Sequence, residues 1–273
     1  MNTEAAIENK ESVLIRLKKY FTTYEKLWML GITVLAIVMA IIFPEDDANG
    51  VSGIIITVLY VIDAVVGSLC ELLFSKQNKW GFLIYNFVEV IELTTMIILR
   101  TRFASMAVCL FYWIPAHTLG FFQWRKYTDK KEKVKTVVRK LKWWQTVLIM
   151  SLTLFWTFVI GYLVAKYSPE TDFYANDKLI VIVAYLDACL SIMSIIDGIL
   201  MFFRSNESWW TWYLYIIIET IINIISGQWV LLVYKLGYLT NTTYGIILWT
   251  KYIKKNEKEA KELADGQAEV ANG

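Results

Sequence analysis

Eight long apolar runs constrain this chain more than any other feature. They fall at 27–43, 51–74, 80–99, 103–124, 143–166, 179–203, 209–234 and 236–252. About 20 apolar residues in helical form cross the hydrocarbon of a bilayer, within a range of about 17–25, and each run is of that order. Lipid offers no partner for a bare peptide group, so a spanning segment is a helix or a barrel strand. Unbroken apolar runs of this length exclude strands. The expectation is an all-α polytopic membrane protein with eight transmembrane helices. Composition agrees, with 57% hydrophobic and 19% charged residues, against about 45–50% and about 25% in soluble domains.

The same reading excludes several classes. Cys70, Cys109 and Cys189 all sit inside apolar runs, as free thiols with neither a disulfide framework nor metal-ligand spacing. No phosphate-binding glycine loop, nucleophile elbow or His/Cys cluster occurs, so neither an enzyme nor a cofactor or metal site is expected, and ATP cannot drive the chain directly. A net charge of +2 gives no reason to expect a nucleic-acid partner. Residues 1–26 form a charged arm in which 13–24 reads equally as an interfacial amphipathic helix or as disorder. The first apolar run has no small-residue cleavage site after it, so no signal peptide is expected.

Basic residues set the orientation. With the N-terminus inside, 22 Lys and Arg lie on the cytoplasmic side and 5 outside, the asymmetry of the positive-inside rule. Arg100 and Arg102 are the discordant pair, and Lys235 is assigned to the outer gap before the last helix. Both termini are then cytoplasmic. Tryptophans 124, 143, 144, 209, 210, 212 and 249 lie at cytoplasmic helix ends and read first as an interfacial belt.

The chain also repeats itself. Residues 120–133 and 245–258 share seven of 14 positions, including Gly-x-x-x-Trp-x-Lys-Tyr. Trp80 and Trp209 each open a helix, and Asp63 and Asp187 each lie within one. Helices 2–4 and 6–8 therefore read as parallel duplicated triplets, with helix 5 as linker and helix 1 as an addition. The organisation expected is a 1–26 arm, 27–50 extra helix and outer loop, 51–124 first triplet, 125–178 basic loop, linking helix and outer loop, 179–252 second triplet, and 253–273 tail. Parallel repeats place a binding site near the midplane between them.

Seven acids lie within the runs: Asp63, Glu71, Glu89, Glu92, Asp187, Asp197 and Glu219. No Lys or Arg lies in the interior of any run. Intramembrane acids are costly and face a partner or a cavity. Helical spacing gathers polar residues into stripes: Asn86 with Glu89; Asp187 with Ser191 and Ser194; Tyr215 with Glu219 and Asn223; Asn241 with Tyr244. Polar side chains can also simply glue helices together, but acceptors in such number without cations favour a solute path. A phosphate or carboxylate solute needs Arg or Lys. The stripes therefore suit a neutral or cationic solute, and Trp80, Trp212, Tyr215, Trp229 and Tyr244 suit a planar cationic ring. His117 reads as a packing histidine or as a relay, and Pro115 bends helix 4.

The three-plus-one-plus-three plan, Asp187, Trp209-x-x-Trp212 after a polar turn, Gly227 and Gly245-x-x-x-Trp249, with Asn86, Gly120 and Trp124 in the first triplet, resemble the PnuC family of bacterial nicotinamide riboside transporters. The resemblance covers about 51–252. It departs at Ile216, where family members tend to be polar, and at His117, where an amide is common. It implies a SWEET-like fold, a homotrimer in the bacterial inner membrane, and facilitated diffusion of nicotinamide riboside, trapped inside by phosphorylation. The expected solute contacts are Asn86, Gln123, Trp212, Tyr215, Glu219, Asn223, Asn241 and Tyr244. Two other readings stay open: a proton-coupled carrier of another small solute, and a membrane receptor or assembly protein surrounded by lipid.

Overall fold

The computed structural model describes residues 20–129, 136, 138–167 and 177–272. Most of the 13–24 stretch, the lysines at 130–135 and the outer segment 168–176 lie outside the described residues. Eight long helices occur among those described: α1 (Thr23–Ile42), α2 (Gly53–Ser75), α3 (Trp80–Leu99), α4 (Phe103–Lys126), α5 (Trp143–Tyr167), α6 (Asp177–Phe202), α7 (Ser208–Ile225) and α8 (Trp229–Asn272). The first six are long and apolar enough to cross a membrane.

Local chemistry sets the helix ends. Thr22 caps α1: its hydroxyl accepts from the Glu25 amide at 3.2 Å, and the Glu25 carboxylate accepts from the Thr22 amide at 2.7 Å, a capping box. The α7 and α8 boundary departs from the sequence expectation. Gly227, at φ +68°, ends α7, and the Gln228 amide returns to the Asn223 carbonyl at 2.9 Å, the closure that glycine favours at a helix end. Helix α8 thus begins at Trp229 rather than 236, and Lys235 lies inside it. Within α4, one π turn at Cys109–Trp113 precedes Pro115, and the Ile114 amide reaches back to the Cys109 carbonyl. The wide turn adjusts the ladder just ahead of a residue that has no N–H to donate.

Six helices close a ring. Helix α2 packs on α3, α3 on α4, α4 on α6, α6 on α7, α7 on α8, and α8 back on α2. Helix α1 lies outside against α2 and α8, and α5 lies outside against α6. Both outer helices leave large apolar side chains uncovered, such as Ile41 and Phe158. A soluble surface rarely carries apolar area on that scale. Glycine lets two pairs of ring helices approach closely. A methyl at Gly120 would meet the Phe82 ring at 2.7 Å, and one at Gly245 would meet the Trp209 ring at 2.6 Å. Trp124 Nε1 donates to the Met201 carbonyl at 2.8 Å, and Trp249 Nε1 to the Phe74 carbonyl at 3.1 Å.

The tryptophans therefore divide. Trp143, Trp144 and Trp210 are exposed, as a belt requires, whereas Trp124, Trp209, Trp212 and Trp249 are buried. Burial of those four follows from the ring closure, because helices from different parts of the sequence converge at their basic end and need large side chains to fill it.

Candidate binding cavity

The ring encloses a cavity to which all six of its helices contribute side chains. Aromatic groups form much of the wall. Trp212 stacks on Tyr215 with ring centroids 4.7 Å apart and planes 8° from parallel. Across the cavity, His117 stacks on Trp113 at 4.7 Å and sits 4.9 Å from Tyr85. The π turn sets Trp113 and His117 on this wall, one side chain on each side of Pro115.

Charged groups line the rest: Glu71, Glu89, Glu92 and Asp197, with Arg102 and Lys235. The presence of these two cations corrects the sequence expectation. Arg102 caps α4 and turns inward. Its Nε lies 3.6 Å from Asp187 Oδ1, and one guanidinium N–H donates to Glu219 Oε1 at 3.3 Å. Lys235, only 2% exposed, lies 2.5 Å from the other Glu219 oxygen. Asp187 also accepts from the Ala104 amide at 3.0 Å and the Ser105 amide at 3.3 Å, where a helix N-terminus favours negative charge. Both cations are thus bound to carboxylates next to the cavity. Of the four lining acids, Asp197 accepts from the Thr211 hydroxyl at 2.8 Å. Four acids against two already-paired cations leave the cavity with an excess of acceptors.

The eight expected contacts separate in space. Trp212 and Tyr215 line the cavity. Glu219 lies beside it as the hub of the ion pairs with Arg102 and Lys235. The remaining five do not line it. Asn86 donates to the Thr118 hydroxyl at 3.1 Å on the outer side of the α3 and α4 pair. Gln123 is half-buried near the end of α4. Asn223 is fully buried with neither side-chain polar atom partnered. Asn241 accepts from the Ser75 hydroxyl at 3.0 Å, and Tyr244 donates to Glu25 Oε1 at 3.0 Å. The α8 stripe therefore faces α2 and α1. A stripe on one helix shows that a polar neighbour is needed, not which neighbour supplies it. Trp80 is half exposed, and Trp229 packs on Phe43 at the other end of the bundle.

Sequence reasoning missed Arg102, Lys235, Tyr85 and Trp113. Gly227 was the available signal for Lys235, since a glycine end to α7 moves that lysine a turn and a half into α8.

A membrane bundle with a polar, aromatic-walled cavity between its helices is the architecture of a multi-pass membrane transporter. The chain belongs to the nicotinamide mononucleotide transporter family, whose model matches residues 57–251. Two relatives are described as nicotinamide riboside transporter PnuC. The one from Neisseria mucosa is 24% identical over 254 residues, covering 86% of this chain and 84% of that protein. The one from Haemophilus influenzae is 24% identical over 254 residues, covering 88% and 97%. A crystal structure of the vitamin B3 transporter PnuC has the same fold, with a TM-score of 0.67 and 21% identity, over 86% of this chain and 94% of that one.

Proposed function

We propose that this chain carries nicotinamide riboside across the bacterial cytoplasmic membrane by facilitated diffusion through the central cavity, with phosphorylation inside the cell trapping the solute. The observation that carries the reading is the cavity wall: stacked aromatic rings together with carboxylates that outnumber the cations. Nicotinamide riboside is a cationic pyridinium joined to a neutral ribose. Aromatic faces attract such a ring, and carboxylates suit both its charge and a vicinal diol. The printed names of the two relatives support the same solute.

The reading extends to assembly and topology. All eight helices cross the membrane, as parallel triplets α2–α4 and α6–α8 joined by α5 in a SWEET-like plan, with α1 added. Both termini are cytoplasmic, and the chain works as a homotrimer. Two turns support the duplication: Gln77 and Arg204 share positive φ between the first and second helices of each triplet, as do Arg100 and Gly227 between the second and third. Trp212 and Tyr215 touch the solute in this conformation. Asn86, Gln123, Asn223, Asn241 and Tyr244 reach it in another state of the carrier, and Glu219 acts by holding Arg102 and Lys235.

Calorimetry on the purified protein tests the solute. Nicotinamide riboside is expected to bind and its mononucleotide not to, because both cations near the cavity are already claimed and a phosphate would meet unpaired carboxylates. Equal affinities would overturn the reading. Trp113→Ala is expected to weaken riboside binding by about 2 kcal/mol, roughly thirty-fold.

A further inference from the structure

Glu89 is 4% exposed and lines the cavity, yet among the described residues no Lys or Arg pairs with it. The nearest nitrogen of His117 stops 4.0 Å from its Oε1. That His117 Nδ1 has no hydrogen-bond partner, although the residue is only 3% exposed. The two groups point into one space walled by Trp113, Tyr85 and Phe82.

The neighbours from other helices do not supply the missing charge. Glu92 on the same helix and Glu71 on α2 are further acids, Asp197 faces in from α6, and Cys109 on α4 donates to the Glu89 backbone carbonyl at 3.2 Å. Tyr85 and Tyr215 are neutral. Arg102 and Lys235 are held by Asp187 and Glu219, while Asp63 lies on α2, beyond the cavity wall. An isolated ionised carboxylate in such a place is strongly disfavoured unless a counter-charge joins it.

We propose that Glu89 is a shared site for a proton and for the positive ring of the solute. With the cavity empty, Glu89 holds the proton. When the cationic ring settles against the wall formed by Trp113, His117 and Tyr85, the Glu89 O–H bond breaks, the proton leaves to water, and the carboxylate becomes the counter-ion of the ring. The net charge of the occupied site is then unchanged. The inference rests on the riboside reading and adds to it the residue that makes the positive charge of the solute recognisable.

Calorimetry in buffers of differing ionisation enthalpy reads the exchange directly. On the acid side of the Glu89 transition, riboside binding should release about one proton, and affinity should fall about tenfold for each further unit of pH. The neutral reduced form, dihydronicotinamide riboside, measured at a higher pH where it is stable, should bind without proton release and without that pH dependence. Glu89→Gln should abolish the release, and Glu71→Gln and Glu92→Gln should retain it. Riboside binding with no proton release overturns the inference and leaves the transport reading standing. So does equal release with the neutral analogue, or release that survives Glu89→Gln and disappears in Glu92→Gln. Absence of riboside binding removes the transport reading itself. The wild-type buffer series tests the proton exchange even if a variant fails to fold, and Glu89→Asp then tests the residue by shifting the pH at which release occurs.

Discussion

At the residue scale, the ion pairs around Glu219 hold the far ends of α4, α7 and α8 together. Removing one partner of a buried pair strands the other charge, at about 3–5 kcal/mol. Lys235→Ala is therefore expected to lower thermal stability in detergent by about that much. Replacing both ions, as Lys235→Met with Glu219→Leu, is expected to recover most of the loss, because Arg102 keeps Asp187. A second effect belongs to the outer loop. Burial together with the neighbouring Asp46 pushes the Glu45 carboxyl up to about 7. A carboxyl that holds its proton more tightly when folded stabilises fully below the unfolded value and loses that contribution as pH rises towards the folded one. Stability is thus expected to decline from about pH 4.5 to about 7 and then level off, and Glu45→Gln should flatten the decline in thermal melts. The acids of the site were legible in the sequence because a carboxylate in an apolar run stands out. Their partners were not. Arg102 and Lys235 sit near helix starts, where a basic residue reads as loop, and Glu219 lies 117 residues along the chain from Arg102. Only the ring closure brings them together.

At the element scale, apolar run length located the helices well: α2 through α6 begin and end within about three residues of the expected bounds, the uncertainty inherent in helix ends. The failure at α7 and α8 has a physical cause. Gly227 breaks the helix without leaving the apolar environment, so hydropathy continues across the turn while the backbone does not. The cost of helix approach makes a test. Gly120 and Gly245 each face an aromatic ring from a neighbouring helix, with first contacts of 2.7 and 2.6 Å for an added methyl. Those rings are rigid and buried, and overpacking of this kind costs about 1–3 kcal/mol. Gly120→Ala and Gly245→Ala are each expected to lower the melting temperature, and by similar amounts if the two triplets are equivalent. A loss confined to one variant would argue against the equivalence.

At the scale of the whole molecule, charge asymmetry and the bundle support one topology. An impermeant maleimide is expected to label Asp46→Cys from outside intact cells and to reach Lys255→Cys only after permeabilisation; the opposite pattern inverts the assignment. The sequence made the lipid-facing exterior legible, because solvent chemistry alone dictates it, whereas the cavity depends on which helices meet. Trp124 is tied to Met201, and Trp249 to Phe74, so at the basic end the last helix of each triplet is pinned by a neutral bond to the first helix of the other. At the opposite end the triplets are joined instead by charges, Arg102 to Asp187 and Glu219. Neutral indole bonds deep in aromatic packing do not depend on charge, whereas each buried ion pair holds only while both of its partners stay charged. The bundle is therefore a tweezer with a neutral heel and a charged tip, and removing the Arg102 charge should loosen it at the tip alone.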